Sequence, residues 1–233
     1  MSIDPLAEKY PYNGTYNFSE NRVIDGREIE GLEVQLIVEK PDLTKASVGH
    51  TFVTVGSGKD MTAYTYGRWA GANRSSGGMP NPLGNGNGVL VKLTGNDAMK
   101  EVKKYVNEGA KVYDVANTSE NIVRDNFEQQ FNSSSETPKT GSYKGDDRAH
   151  VIDQYDLTTN NCTTKSLDAV SEGHAGDITY KTTTIAGGFP VIQTDSTDNT
   201  YSPGTLATQL QEATKDPDSG IKDVTKQYTQ PTR

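Results

Sequence analysis

The sequence predicts an α+β domain built on an antiparallel sheet, with a cysteine at the start of one of its helices. Three observations predict it. Short apolar or alternating runs with the two-residue strand period begin after residue 33, and two of them are joined by a Gly-Ser-Gly turn. Separate segments carry apolar residues at helical spacing. The lone cysteine, Cys162, follows a polar Thr-Thr-Asn-Asn run and opens a stretch with Cys162, Ser166 and Val170 on one side and Leu167 beside them.

Val34–Glu39 (VQLIVE) reads as the first strand, His50–Val55 as the second and Met61–Tyr66 (MTAYTY) as the third. Gly56–Asp60 (GSGKD) makes a hairpin of the last two. Arg74–Gly88 (RSSGGMPNPLGNGNG) has the composition of a flexible loop, and Val89–Leu93 is strand-like. Asn96–Asn107 spaces Met99, Val102 and Val106 as a helix does, with Thr94 or Asn96 as cap and Gly109 as stop. A second helix is expected over Ser119–Phe131, then a polar loop over Asn132–Asp147. Tyr155–Leu157 leads into the Cys162 helix, which Gly173 ends. Strands are expected around Ile178–Thr184 and Phe189–Gln193, and a short helix over Pro203–Ala213 with proline at its start. Beyond Asp216 the chain reads as a frayed tail.

A chain of 233 residues accommodates one medium domain with appendages. Its hydrophobic fraction of 32% and mean hydropathy of −0.71 assign part of the length to loop or tail. A net charge of −8 with scattered Lys and Arg argues against a nucleic-acid partner, whose phosphates need clustered cations. A single cysteine can form neither an internal disulfide nor a Cys-rich zinc site, and no cofactor or metal is expected. No run approaches the ~20 apolar residues of a membrane span. The start, MSIDPLAEKYPY, lacks the basic-then-apolar pattern of a signal peptide, so any export is expected to use another carrier.

Residues 4–33, DPLAEKYPYNGTYNFSENRVIDGREIEGLE, resemble the end of an Rhs/YD-repeat core. There a "DPL…YP…Y.F..N" stretch and an "iDG.E.EGLE" ending close a large β-shell ahead of a variable C-terminal effector. The resemblance implies a remnant of the Rhs core as an extended leader over 1–33 ahead of an effector domain, expected over 34–215, and the frayed end is expected as a flexible tail over 216–233.

The chemistry centres on two residues. A helix N-terminus carries unpaired N–H groups and the positive end of the helix dipole, which favour a thiolate at Cys162 and could hold an oxyanion beside it. His50 stands at the start of a strand behind Gly49, which permits close backbone approach, and shares a face with Phe52 and Thr54. A cysteine and a distant histidine make a candidate nucleophile and base. His150, twelve residues upstream of Cys162 in the sequence, is a competing base, while His174 suits the C-terminal end of the Cys162 helix. The glycine-rich run at 84–88 lacks the Lys-Ser/Thr of a phosphate loop, and the acidic pairs Asp146/Asp147 and Asp195/Asp198 read as solvated charges.

"GHTFV" at 49–53, followed much later by "YDLTTNNCTT" at 155–164, resembles the circularly permuted NlpC/P60 branch of the papain-like fold, which includes the lecithin:retinol acyltransferase group. Pro203 and Leu206 are similar to a further helix of bacterial papain-fold effectors. The resemblance implies a papain-like antiparallel sheet and a thiolate–imidazolium pair in which Cys162 attacks an acyl carbon and His50 takes and returns the proton. It also implies a third polar group on the strand after the histidine. Thr62, Tyr64 and Tyr66 project from one face there, and Tyr66 is the choice, where the family usually has His, Asn or Gln. Together the two resemblances imply a toxin effector, delivered without a signal peptide through the Rhs shell and its secretion machinery to the periplasm of a competitor. It would act as an amidase or endopeptidase on peptidoglycan, with a cognate immunity protein as partner. Acyl transfer, lipid deacylation or protein deamidation on the same fold, and a non-enzymatic Rhs-associated binding module, stay open.

Overall fold

A computed structural model describes residues 33–42, 44, 47–69, 86–174, 181–184, 192–195 and 202–229. The leader reading of residues 1–33 therefore falls almost wholly outside the described residues, as does most of the loop expected over 74–88. The described chain is mixed α+β, with a seven-stranded antiparallel sheet and five helices.

The first three strands form where the alternating runs place them: β1 (Val34–Glu39), β2 (His50–Val55) and β3 (Thr62–Gly67), with a short 3-10 turn over Gly58–Asp60 between the last two. β4 spans Gly86–Thr94 and passes directly into α1 (Gly95–Glu108), whose Val102, Tyr105 and Val106 are buried. β5 (Lys111–Val115), α2 (Glu120–Asn132), β6 (Ala149–Tyr155) and α3 (Cys162–Gly173) follow. A separate hairpin pairs β7 (Lys181–Thr184) with β8 (Ile192–Asp195). The chain continues through α4 (Pro203–Ala213), β9 (Ile221–Asp223) and α5 (Lys226–Thr229).

The sheet order is β6-β4-β3-β2-β1-β5-β9. Strand alternation sends side chains to two opposed cores. On one face Leu36, Val53, Tyr64 and Leu90 pack with Phe127 of α2, Val170 of α3 and Leu206 of α4. On the other Ile37, Phe52, Ala63 and Val91 pack with Val102 and Tyr105 of α1 and Tyr228 of α5. That division decides the geometry of the site.

Three strands escape the sequence reading. β5 (KVYDV) and β9 are short, and β6 (AHVIDQY) is a half-buried edge strand whose outer positions tolerate polar residues. The flexible tail expected over 216–233 is corrected for its described residues, 216–229: β9 pairs with β5, and Tyr228 donates a hydrogen bond to Gln35 Oε1 at 2.6 Å beneath β1. Only three well-spaced apolar side chains, Ile221, Val224 and Tyr228, carry this docking, so local composition gives no sign of it.

Candidate active site

Gly49 shapes the entry to β2. Its φ of +81 lies in the left-handed region, and a Cβ there would stand 2.6 Å from the Glu39 carbonyl oxygen, so the tight approach of β2 to the end of β1 needs glycine. A cleft of about 250 Å³ opens at this end of the sheet, lined by Glu39, Gly49, His50, Tyr66, Arg68, Trp69, Tyr105, Tyr155 and Cys162, among others.

Cys162 is the first residue of α3, as the sequence predicts. The turn before it is built by Asp156, whose Oδ1 accepts from the backbone N–H groups of Thr158 and Thr159, both at 2.9 Å, and from both threonine hydroxyls. These bonds hold its carboxyl well below the usual carboxylate range. Asn161 caps the helix: its Oδ1 accepts from Thr163 N (2.8 Å) and Thr164 N (3.1 Å), and its own N–H donates to Thr164 Oγ1. Two of the N–H groups expected for an oxyanion are thus already engaged by the cap, while the N–H of Cys162 itself faces its sulfur.

Cys162 is buried, at 5% exposure, with the Tyr155 hydroxyl as a hydrogen-bond partner of its side chain. Burial pushes the thiol up, and it outweighs the Thr51 backbone N–H and the Thr163 hydroxyl and N–H, which favour the thiolate. The acidic thiol expected from a helix start is corrected accordingly: desolvation beats the N-terminal donors.

His50 lines the same cleft from the α1 side of the sheet. Its Nε2 is hydrogen-bonded to Thr65 Oγ1 at 2.7 Å, and its ring lies among Trp69 (5.2 Å), Tyr105 (5.4 Å) and Phe52 (5.9 Å). Burial, and secondarily the charge of Lys104, lowers its pKa to about 3. The imidazole is neutral near pH 7, so the expected thiolate–imidazolium pair is replaced by two neutral groups. Cys162 belongs to the α3 side, where Thr51 Oγ1 meets Thr163 Oγ1 at 3.2 Å. The two residues meet one cleft from opposite faces, because adjacent strand residues point opposite ways and α3 packs over Thr51 rather than over His50.

The same alternation corrects the third group. Thr62, Tyr64 and Tyr66 do share a face, but it is the α2/α3 face; the partner of the imidazole is Thr65, one residue along. Tyr66 instead donates to Asp153 Oδ1 at 2.5 Å and accepts from Asn160 Nδ2 at 3.1 Å. His150 is stacked on Phe131 with its Nδ1 at 2.8 Å from the Phe131 carbonyl oxygen. His174 is the C-cap of α3, and neither histidine lines the cleft.

Sequence reasoning missed Thr65, Tyr155, Trp69 and Asp153. Tyr155 stands in the same motif as Cys162, and Thr65 could be found only by asking which strand face the imidazole takes. Gly88, expected in a loop, is a β4 residue, and a Cβ there would overlap the Tyr66 hydroxyl and the Asp153 carboxylate. Among the described residues no group of three or more His, Cys, Asp or Glu could hold a metal ion, and no helix is long and apolar enough to cross a membrane. Protein-family models, curated proteins and solved structures offer no significant match to this chain.

Proposed function

We propose that the cleft is the active site of a papain-like cysteine hydrolase, the effector of an Rhs-type toxin, cutting an amide bond of peptidoglycan. The observation that carries this reading is the presence of the only cysteine, at a capped helix start, and of a buried histidine in the walls of one cleft. In this reading substrate entry displaces the imidazole from Thr65 toward the sulfur. Cys162 attacks the acyl carbon as its proton passes to His50 Nε2, and the imidazolium returns that proton to the leaving amine. Water then releases the acyl group from the sulfur, with His50 again as base. A buried neutral imidazole is a weak base, and the anion forming beside it raises its basicity during the transfer. Tyr155 and the Cys162 N–H stand beside the sulfur to receive the oxyanion. The aromatic walls, Trp69, Tyr105 and Tyr155, suit the apolar faces of a sugar or peptide. Delivery through an Rhs shell and a cognate immunity protein that covers the cleft complete the proposal.

A second reading has its own observation. The buried, raised thiol and the imidazole seated on Thr65 suit a non-catalytic Rhs-associated binding module. One experiment separates the two: digestion of purified peptidoglycan by the full chain and its Cys162→Ala variant, read by the masses of released fragments. Fragments from the wild type alone support the hydrolase. Peptidoglycan retained without fragments supports the binding module. Expression of the full chain in the bacterial periplasm and cytoplasm adds a second axis: harm confined to the cytoplasm and lost with Cys162→Ala points to deamidation or acyl transfer.

A further inference from the structure

Behind the cleft lies a polar cluster that the proposed mechanism does not use. Asp153, on β6, is its centre. Its Oδ1 receives the Tyr66 hydroxyl, and its Oδ2 pairs with Lys165 Nζ at 2.9 Å. Lys165 lies three residues after Cys162 on α3, also donates to Gln130 Oε1 at 3.1 Å, and stands over the Tyr66 ring at 5.5 Å. Asn160, two residues before Cys162, donates to the Tyr66 hydroxyl at 3.1 Å and to the Gln154 carbonyl oxygen at 2.7 Å. Both sides of Cys162 in the chain are therefore tied to one Tyr66–Asp153 bond.

Space for that bond exists only because residue 88 is glycine, whose missing Cβ would fill the position of the two oxygens. The rings complete the link, since Tyr66 stacks on Tyr155 with centroids 5.7 Å apart, and Tyr155 is hydrogen-bonded to the sulfur. The side chains of Asp153 and Lys165 are 30% and 20% exposed, partly shielded from solvent, so their charges are felt at short range.

We infer that Asp153 and Lys165 are a pair of positioning residues for Cys162: together they fasten the Asn160–Cys162 turn to β3 through Tyr66 and present the sulfur with balanced charge. The inference rests on Cys162 as the reacting group of the proposed active site. Removing Asp153 leaves the Lys165 cation, three residues along α3 from Cys162, without its partner, and removing Lys165 leaves the Asp153 anion without its partner. The two changes must move the acidity of the thiol in opposite directions. A merely structural role would loosen the turn in both variants and move reactivity the same way. The other ionisable groups that line the cleft with Cys162, namely Glu39, His50, Arg68, Tyr66, Tyr105 and Tyr155, keep their identity in both variants and give a common background, Tyr66 losing its Asp153 acceptor only as a carboxylate.

The test is alkylation of the full chain by iodoacetamide across pH, read by intact mass, with folding checked by circular dichroism. With one cysteine in the chain, the mass gain reports Cys162 alone. Asp153→Asn is expected to lower the pH midpoint by about half a unit or more, which is roughly a threefold gain in rate below the midpoint. Lys165→Gln is expected to raise it by a similar amount, and the double variant to return toward the wild type. Shifts in the same direction, or midpoints unchanged in both folded variants, overturn the inference. Should Asp153→Asn fail to fold, Lys165→Gln decides alone: an upward shift supports the pair and any other result overturns it. Because alkylation needs no substrate, its outcome is separate from that of the peptidoglycan digestion.

Discussion

At Cys162 two effects oppose each other, and burial wins. The Thr51 N–H, the Thr163 donors and the helix start favour the thiolate, yet a cysteine at 5% exposure loses most of the solvation that an anion needs. Alkylation of the free protein at pH 7 is therefore expected to be slower than that of an exposed cysteine, and to accelerate only above the ordinary thiol pKa of ~8.5. A rate–pH profile checks this; rapid reaction at neutral pH would place the imidazole on the sulfur in solution. His50 carries a pH signature of the opposite sense to a histidine that gains an anionic partner. Its folded pKa of about 3 lies below the ordinary histidine value of 6.5, so between these values the unfolded chain binds the proton and the folded chain does not. The stabilising contribution is fully present above about pH 6.5 and is lost as the pH falls toward 3, a loss on the order of a few kcal/mol. Urea titrations from pH 7 to pH 4 should show declining stability, with a shallower decline in His50→Gln.

At the scale of elements, α3 begins where it does because of Asn161. Its side chain satisfies two helix N–H groups, and Thr164 returns the bond. Asn161→Ala is expected to cost about 1–2 kcal/mol in chemical denaturation. β4 is constrained by what lies across from Gly88. Gly88→Ala places a methyl on the Tyr66–Asp153 bond, and the resulting overpacking should cost about 1–3 kcal/mol. It should also alter the alkylation rate of Cys162, which a control Gly58→Ala, open to solvent though at positive φ, should not. Most helices and central strands were legible because periodicity and caps are local. Val123, Phe127 and Phe131 recur every fourth residue, and Ser119 caps their helix. The edge strands β6 and β9 were not, since an edge strand has one partner and its outer positions answer to solvent.

Across the whole molecule, the last thirteen described positions after Asp216 close the sheet rather than hang from it. Thr225 Oγ1 accepts from Val112 N at 2.9 Å, and Tyr228 buries its ring in the α1 core with its hydroxyl on Gln35. Deleting residues 217–233 is expected to destabilise the protein by about 3 kcal/mol or more, measured as a fall in the denaturation midpoint, because a buried aromatic side chain and a strand are lost together. The sequence by itself determined the α+β class, the central β1–β4 strands, the helix that starts at Cys162 and the residue types that meet at the cleft. Those follow from alternation, helical spacing and capping, which act over a few residues. Only the tertiary structure decided that α3 covers Thr51 rather than His50, that Thr65 rather than Tyr66 holds the imidazole, and that burial keeps both the thiol and the imidazole neutral. A one-residue step along a strand reverses its face, and burial is created by helices that dock from far along the chain. No local pattern carries either quantity.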